Sequence, residues 1–316
     1  MSEITIGISS CLLGNKVRYD GQHKLDHFLA ETLGAFVKFI PLCPEVECGL
    51  PVPRDAMRLV GDPENPELVT IKTKINYTEK MKSWGEIRLD ELASQNLCGF
   101  IFKSKSPSSG MERIKVYPEK GGVASKNGVG IFAAMLMKRF PLIPVEDDGR
   151  LHDPEIRENF IERIFTYKRW LEMIENENTV HGLMQFHTKY KLMLMAHSPE
   201  HYRETGKLTA SADKNNLKQI QPAYFKSLMD GMKKIATIKK NFNVLQHILG
   251  YFKNEMTSDE KKELLEIMEN YKRELIPLIV PITLLNHYIV KFNQIYLKEQ
   301  YYLHPHPIEL KLRNHA

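Results

Sequence analysis

The chain has 316 residues, which is enough for about two domains. Hydrophobic residues make up 42% and charged residues 26%, a usage that excludes a disordered, collagen-like or disulfide-knotted protein. The net charge is +5, and residues 151–316 hold most of it with 24 basic against 20 acidic residues. This mild excess permits an anionic partner but does not require one.

The sequence shows no membrane span and no export signal. Its longest apolar run, residues 275–285, contains two prolines and is shorter than the ~20 residues that a span needs. The first residues lack the basic and apolar regions of a signal peptide. We therefore expect a cytoplasmic protein, in which the four cysteines are better metal or redox candidates than disulfide partners.

Short runs of β-branched and aromatic residues alternate with segments of helical spacing over residues 1–150. Such alternation predicts βαβ units, and hence an α/β domain with a Rossmann-like parallel sheet. The predicted strands are residues 4–8, 36–42 and 97–102, and the predicted helices are residues 26–33, 84–94 and 131–137.

Polar or thiol-bearing residues follow each predicted strand directly. Cys11 comes after the first strand, Cys43 after the second, and the segment 103–110 after the third. Ligand sites of open parallel sheets form at the carboxyl ends of the strands. The three segments are therefore predicted to meet in one crevice.

The segment 147–154 is polar and contains glycine and proline, which is typical of a domain boundary. Asp153 and Pro154 then suit the cap and first position of a helix. The remaining residues, 151–316, have helical periodicity almost throughout, including residues 217–252 and 258–275. They predict a second, all-α domain.

The cysteine spacing favours an iron–sulfur cluster over zinc. Only Cys43 and Cys48 are near neighbours, whereas structural zinc sites usually take ligands in close pairs. Single cysteines at separate strand ends suit a cluster with three protein ligands, which leaves one iron open as a Lewis acid. A free cysteine is also often just a small buried apolar residue, and this interpretation suits Cys98, inside a strand, best.

Two sets of longer motifs stand out in the sequence. The first set is residues 9–21, 43–54 and 103–110, and the second is residues 182–191, 195–199, 243–247 and 304–307. The first set resembles the signature stretches of TudS-like thiouracil desulfidases, and the second resembles the YbgA-like helical domain. The fusion of the two is similar to tRNA 4-thiouridine desulfidases of the RudS type.

The resemblance implies a [4Fe–4S] cluster on three cysteines, with sulfur removed from 4-thiouridine in tRNA to give uridine. Two ligands fall on Cys11 and Cys43, but the third falls on Ser109, where the family has cysteine. A hydroxyl is a harder ligand than the thiolates that such clusters prefer. Three alternatives stay open: Cys48 replaces the missing ligand, Ser109 ligates as an alkoxide, or the cluster is lost. The last would leave a cluster-free tRNA-binding protein, and free thiouracil-type bases are an alternative substrate.

The same motifs supply the other candidate site residues. The family places a catalytic carboxyl at Glu45, where it would move protons. Lys103 and Ser104 are further catalytic candidates, since they follow the third strand. Five residues are candidates for binding the substrate or for holding the loops beside the cluster in place. They are Lys105, Ser106, Arg18, Asp20 and Arg54.

A desulfidase of free bases needs only the first domain, so we expect the helical domain to bind tRNA. Basic residues would hold phosphates, and tyrosines among them would stack bases. The candidates are Lys233, Lys234, Lys239, Lys240, His187, Lys189, Tyr190, Lys191, Tyr301, Tyr302, His304 and His306. Each is also compatible with an ordinary solvated or buried role.

Overall fold

The computed structural model describes residues 3–314. The chain divides into two compact units, Met1–Asp153 and Pro154–Ala316, at a point within the polar segment 147–154.

The first unit is built from strands and a few helices. Its described strands are β1 (Ile4–Ser9), β2 (Val37–Leu42), β3 (Met57–Val60), β4 (Glu67–Thr70), β5 (Leu97–Phe102), β6 (Ile114–Tyr117), β7 (Ser125–Gly128) and β8 (Val145–Asp147). Its described α-helices are α1 (Pro44–Glu47), α2 (Thr78–Ala93) and α3 (Ile131–Arg139).

An all-parallel sheet with the order β2-β1-β5-β8 forms the centre of this unit, which confirms the predicted α/β class. Ser9 pairs with Leu42, so β1 and β2 end side by side. A side chain at Gly7 would collide with the ring of Phe100, since an added Cβ would lie 2.2 Å from it. Glycine therefore lets the large ring of β5 pack across β1.

A second sheet with the order β4-β3-β6-β7 was not predicted. It mixes parallel and antiparallel pairs, and each of its strands has only four residues. Strand β7 reads Ser-Lys-Asn-Gly and lacks the β-branched and aromatic residues that mark strands in a sequence. It lies inside the glycine-rich segment 121–130.

Two of the three helix predictions hold in this unit and one needs correction. Helix α2 includes residues 84–93 but begins at Thr78, and α3 begins at Ile131 as predicted. Residues 26–33 were predicted to be helical, yet they form only a π-helical turn at Phe28–Thr32, which continues into a 3₁₀ turn.

The second unit is helical, as the periodicity predicts. Its described helices are α4 (Pro154–Asn176), α5 (Val180–His197), α6 (Pro199–Ala210), α7 (Leu217–Met232), α8 (Ile238–Gly250), α9 (Ser258–Lys272), α10 (Ile279–Lys291) and α11 (Ile295–Lys298). The predicted helical stretch 217–252 is divided because the Thr237 side chain accepts a hydrogen bond from Lys240 N and starts a new helix.

Aromatic side chains fill the core of the helical unit. The rings of Trp170 and Phe225 stack with centroids 4.7 Å apart, and Tyr224 stacks on the same indole at 5.7 Å.

None of the helices in residues 3–314 combines the length and apolar composition that a membrane crossing requires.

Candidate active site

The carboxyl ends of β1, β2 and β5 lie next to one another at one edge of the parallel sheet and open into a cavity of about 470 Å³. A volume of this size is typical of small-molecule sites. The lining comes from four segments of the first unit. Those residues are Ser9, Ser10, Cys11, Val17, Arg18, Tyr19, Lys24, Leu42, Cys43, Pro44, Glu45, Arg54, Ala56, Met57 and the run from Lys103 to Ser109.

Cys11 and Cys43 both line this cavity. Cys11 is 7% exposed in the turn after β1, and the half-buried Cys43 caps helix α1, with its Sγ 3.8 Å from the carbonyl oxygen of Val17. Burial raises the pKa of the Cys11 thiol to about 11, although the Lys103 ammonium opposes the shift. Burial also raises the pKa of Cys43. A bound cation would have to displace both protons.

Ser109, the residue at the family's third-ligand position, lines the same cavity as Cys11 and Cys43. It is 5% exposed, and its Oγ donates a hydrogen bond to Ser106 Oγ at 3.2 Å.

Cys48 and Cys98 lie elsewhere, which argues against the alternative that Cys48 replaces the third ligand. Cys48 packs in an apolar cluster with Leu50 and Leu59, and its thiol donates to the carbonyl oxygen of Glu45 at 3.3 Å. Cys98 is fully buried within β5. Neither residue is among those that line the cavity in the described chain.

Glu45 lines the cavity and accepts hydrogen bonds on both of its carboxylate oxygens. Its carboxylate accepts hydrogen bonds from Arg54 Nε at 2.8 Å and from Arg54 Nη2, and a further bond from Ser108 Oγ at 2.8 Å. Arg54 Nη2 also donates to the carbonyl oxygen of Val17 at 3.1 Å. This buried ion pair therefore joins the loops that follow all three strands.

Ser108, which the sequence analysis did not single out, connects Glu45 to the third-ligand position. Ser108 is 1% exposed, and its Oγ lies 3.0 Å from Ser106 Oγ, which in turn accepts from Ser109. The hydroxyls of Ser109, Ser106 and Ser108 thus form a hydrogen-bonded chain that ends on Glu45.

Lys103 and Ser104 are organised by a second carboxylate that the sequence analysis missed, Asp148. Lys103 Nζ donates to Asp148 Oδ2 at 2.7 Å and to Ser104 Oγ at 3.0 Å, while Asp148 Oδ1 accepts from Ser104 N at 2.7 Å. Burial opposes ionisation of Asp148, but the hydrogen bonds from Lys103 and Ser104 outweigh it and lower the pKa. The lysine is therefore held in place rather than free in solvent.

The rim of the cavity carries the remaining candidates. Arg18 pairs with Asp20 at 3.2 Å in a partly exposed position, which suits a loop clamp. Lys105 is exposed, has a positive φ of 61°, and makes no ion pair within residues 3–314. Its ammonium group is thus available to an anionic ligand.

The N–H groups at the start of α3 bond to the backbone of the serine-rich loop and are therefore not open to a ligand. Gly130 N donates to the Gly110 carbonyl at 2.8 Å, and Phe132 N donates to the Ser108 carbonyl at 2.9 Å. A Cβ at Gly130 would lie 2.7 Å from the backbone of Ser108. The start of α3 instead holds the backbone of the serine-rich loop that contains Ser109.

The structure corrects part of the predicted RNA surface of the helical unit. Tyr190 is fully buried, Tyr302 is 1% exposed, and His187 is 5% exposed with Nδ1 3.2 Å from Tyr224 Oη. Burial lowers the pKa of His187 to about 4. Tyr301 lies against Arg169, whose guanidinium is 3.9 Å from the ring centroid. Tyr190, Tyr302 and His187 therefore belong to the core and cannot stack bases, whereas Tyr301 is half-buried.

The helical unit also contains a buried charge cluster that the sequence analysis missed. Arg313 donates to Glu158 at 2.8 Å and to Glu162 at 2.7 Å, and His197 Nε2 lies 3.0 Å from the other Glu162 oxygen. Although the ligand atoms of Glu158, Glu162 and His306 lie within 4.8 Å of one another, the arginine already occupies both carboxylates. The cluster is therefore an ion-pair network.

The donor atoms around the first unit's cavity suit an iron–sulfur cluster. Two are thiols, the soft donors that such clusters prefer, and the third is a hydroxyl, a harder donor. The residues present therefore fit the group with two thiolate ligands and one oxygen ligand.

Comparisons with known proteins divide the chain in the same way. Residues 6–148 match the family model of 2-thiouracil desulfurase, and residues 191–307 match a family of unknown function, DUF1722. The uncharacterized protein YbgA of Escherichia coli (strain K12) is 29% identical over 153 residues, which cover 48% of this chain and 90% of YbgA. A solved structure of the [4Fe-4S]-dependent thiouracil desulfidase TudS is 31% identical, covers 48% of this chain and 95% of its own, and has a TM-score of 0.39.

Proposed function

We propose that the first unit, whose residues 6–148 match the family model of 2-thiouracil desulfurase, is a desulfidase that acts on 4-thiouridine in tRNA and releases uridine. The observation that carries the proposal is the meeting of Cys11, Cys43, Ser109 and Glu45 around one cavity at the strand ends.

The proposed reaction exchanges the thiocarbonyl sulfur of the base for the oxygen of water. The C–S double bond is replaced by a C–O double bond, and the sulfur leaves as hydrosulfide. Carbon keeps its oxidation state, so no electron donor or acceptor is needed. The protons of the attacking water have to be moved, one of them to the departing sulfur.

Cys11 and Cys43, with Ser109 as the third ligand, would hold the [4Fe–4S] cluster that the three-motif resemblance implies. When bound, the cluster supplies a Lewis-acidic iron without a protein ligand. The chain's own residues provide the binding, orientation and proton movement.

Glu45 is the group placed to accept a proton. Its Oε1 already accepts from Ser108 Oγ at 2.8 Å, and its Oε2 accepts from Arg54 Nε at 2.8 Å. A general base within hydrogen-bonding reach of an attacking water contributes typically 10²–10⁴-fold in rate. The serine chain behind Glu45 offers a route by which the proton can move along the wall of the cavity.

Lys103 and Ser104 are placed to orient the base. Both line the cavity, and the bonds to Asp148 fix the lysine ammonium beside the Ser104 hydroxyl. A fixed cation and a hydroxyl are suited to donate hydrogen bonds to the pyrimidine oxygen or to an oxyanion formed on attack. Ser106 lies further along the same wall and Lys105 lies at the rim.

Charge supports a polynucleotide substrate. Lys24 and Lys105 at the cavity rim are exposed and have no ion-pair partner within residues 3–314. The helical half has 24 basic against 20 acidic residues, and Lys239 is exposed on α8. Phosphate neutralisation by such lysines supplies most of non-specific nucleic-acid affinity.

The test uses the full chain, reconstituted anaerobically with iron and sulfide. Thiolated tRNA and free 4-thiouracil are compared by the loss of thiocarbonyl absorbance, and hydrosulfide is measured in parallel. We expect turnover of tRNA with a kcat/KM well above that of the free base.

Three results would change the proposal. Turnover of the free base alone would reassign the substrate, and iron well below one cluster per chain with no turnover would leave a tRNA-binding protein. Glu45→Gln serves as the matched variant, since it keeps the shape of the side chain but cannot accept the proton as a carboxylate. Full activity in Glu45→Gln would exclude Glu45 as the base.

A further inference from the structure

A second, more open cavity of about 600 Å³ adjoins the candidate active site. Tyr19, Arg54 and Ala56 line both cavities, so the two share a wall. The remaining lining residues belong to the second cavity alone and are Pro53, Asp55, Ile71, Lys72 and Thr73. None of these five was a candidate in the sequence analysis.

We propose that this second cavity binds the nucleotide next to the thiolated one in an RNA substrate. The inference rests on the proposed function, because it requires that the thiolated base occupies the first cavity. A free base ends inside the first cavity, whereas an RNA chain has to continue out of it, and the shared wall gives it a direct path.

Two exposed apolar side chains offer a face for the neighbouring base. Tyr19 is 45% exposed and Ile71 is 43% exposed, and both line the second cavity. Backbone hydrogen bonds hold both in place, since Arg54 N donates to the Tyr19 carbonyl at 2.9 Å and Ile71 N donates to the Ala56 carbonyl at 2.8 Å. A rigid aromatic and aliphatic face is suited to stack a base of any sequence.

The polar groups of the cavity match a ribose and a phosphate. Asp55 Oδ2 accepts from the N–H groups of Lys72 and Thr73, both at 2.9 Å, and from Thr73 Oγ1 at 3.2 Å. Asp55 Oδ1 makes no hydrogen bond within residues 3–314, so it is available to a 2′-hydroxyl, the group that distinguishes RNA from DNA. The side chain of Lys72 is exposed and has no ion-pair partner in the same range, as a phosphate contact requires.

The experiment uses the double variant Ile71→Ala/Lys72→Gln, which removes the Ile71 half of the apolar face and the cation, and neither residue lines the first cavity. Lys126→Gln is the control, since it removes the same charge from exposed β7, which lines neither cavity. The substrates are free 4-thiouracil and an RNA trinucleotide with 4-thiouridine in the middle. We expect kcat/KM for the trinucleotide to fall about tenfold in the double variant, with the free-base value and both values of the control unchanged.

A binding measurement separates failure of the subsite from failure of the desulfidase proposal. The fluorescence anisotropy of a labelled uridine trinucleotide is followed without reconstitution of any cluster. If wild type and double variant bind it equally, the subsite is refuted, whatever the catalytic result. If binding falls about tenfold in the double variant but no thiolated substrate is turned over, the subsite stands and the proposed reaction fails. An equal loss of kcat/KM on the free base and the trinucleotide would also overturn the inference.

Discussion

Replacing Arg54 by methionine should destabilise the first unit strongly. The change keeps the apolar stem but removes the guanidinium that donates to Glu45 and to the carbonyl oxygen of Val17. The Glu45 carboxylate, whose side chain is 14% exposed, then keeps only its bond from Ser108. It becomes a largely buried charge without a counter-ion.

The size of the loss follows from burial. Removing one partner of a buried pair typically costs about 3–5 kcal/mol, because the other charge stays desolvated. The Arg54 side chain is 5% exposed, but Glu45 keeps some solvent contact, so we expect about 3 kcal/mol. Glu45→Gln in the Arg54→Met background should recover part of this loss, since it removes the orphaned charge.

The assay can report on the first unit alone, because the chain has two tryptophans, Trp84 in α2 and Trp170 in α4. A Trp170→Phe background leaves Trp84 as the fluorescent probe during urea unfolding. Arg18→Met is the matched control, since its pair with Asp20 is partly exposed and should contribute far less. Equal shifts for Arg54→Met and Arg18→Met, or no recovery in the double variant, would refute the reasoning.

Three further outcomes are expected. Ser109→Cys should raise the iron and sulfide content after anaerobic reconstitution towards a full cluster, and an unchanged content would contradict the placement of this side chain as a ligand. Cys48→Ser should leave that content unchanged, because its thiol lies in an apolar cluster; a loss of iron would reinstate it as a ligand. Burial lowers the pKa of His187 from its ordinary value of 6.5 to about 4 in the folded protein. As pH drops, the unfolded state therefore binds a proton at this histidine before the folded state does, and the free energy of unfolding should fall from about pH 6.5 towards pH 4. Urea unfolding of His187→Gln should show this slope reduced by up to about 1.4 kcal/mol per pH unit, whereas the exposed His247→Gln should match wild type.

The convergence of the strand ends could be predicted because it depends on two robust signals. Cys11 and Cys43 directly follow β-branched runs, and parallel strands bring their carboxyl ends to one edge. Asp148 could not be found in this way. Asp148 follows β8, which has only three residues, and it lies in the polar segment 147–154, which is typical of a linker.

The geometry disfavours Cys48 as a ligand. Cys43 and Cys48 flank the short helix α1, Cys43 as its extended N-cap and Cys48 as its C-cap. Cys43 lines the cavity, whereas Cys48 packs in the apolar cluster with Leu50 and Leu59. Proximity in the sequence was therefore a poor guide to proximity of the sulfur atoms.

The RNA surface was overestimated because tyrosine and histidine have an apolar body and a polar tip. Tyr190 and Tyr302 lie among basic residues in the sequence, as base-stacking residues do, yet both are core residues in the fold. Composition alone does not separate these roles, since the same side chain suits an interface and an interior.

The contact between α3 and the serine-rich loop has a consequence for how this site can change over evolution. The backbone around position 109 is fixed by bonds from Gly130 and Phe132, none of which involves the side chain of Ser109. An exchange of oxygen for sulfur there alters the donor atom while the scaffold stays as it is. A single substitution at position 109 can therefore change the chemistry of the cavity while the fold of the loop is preserved.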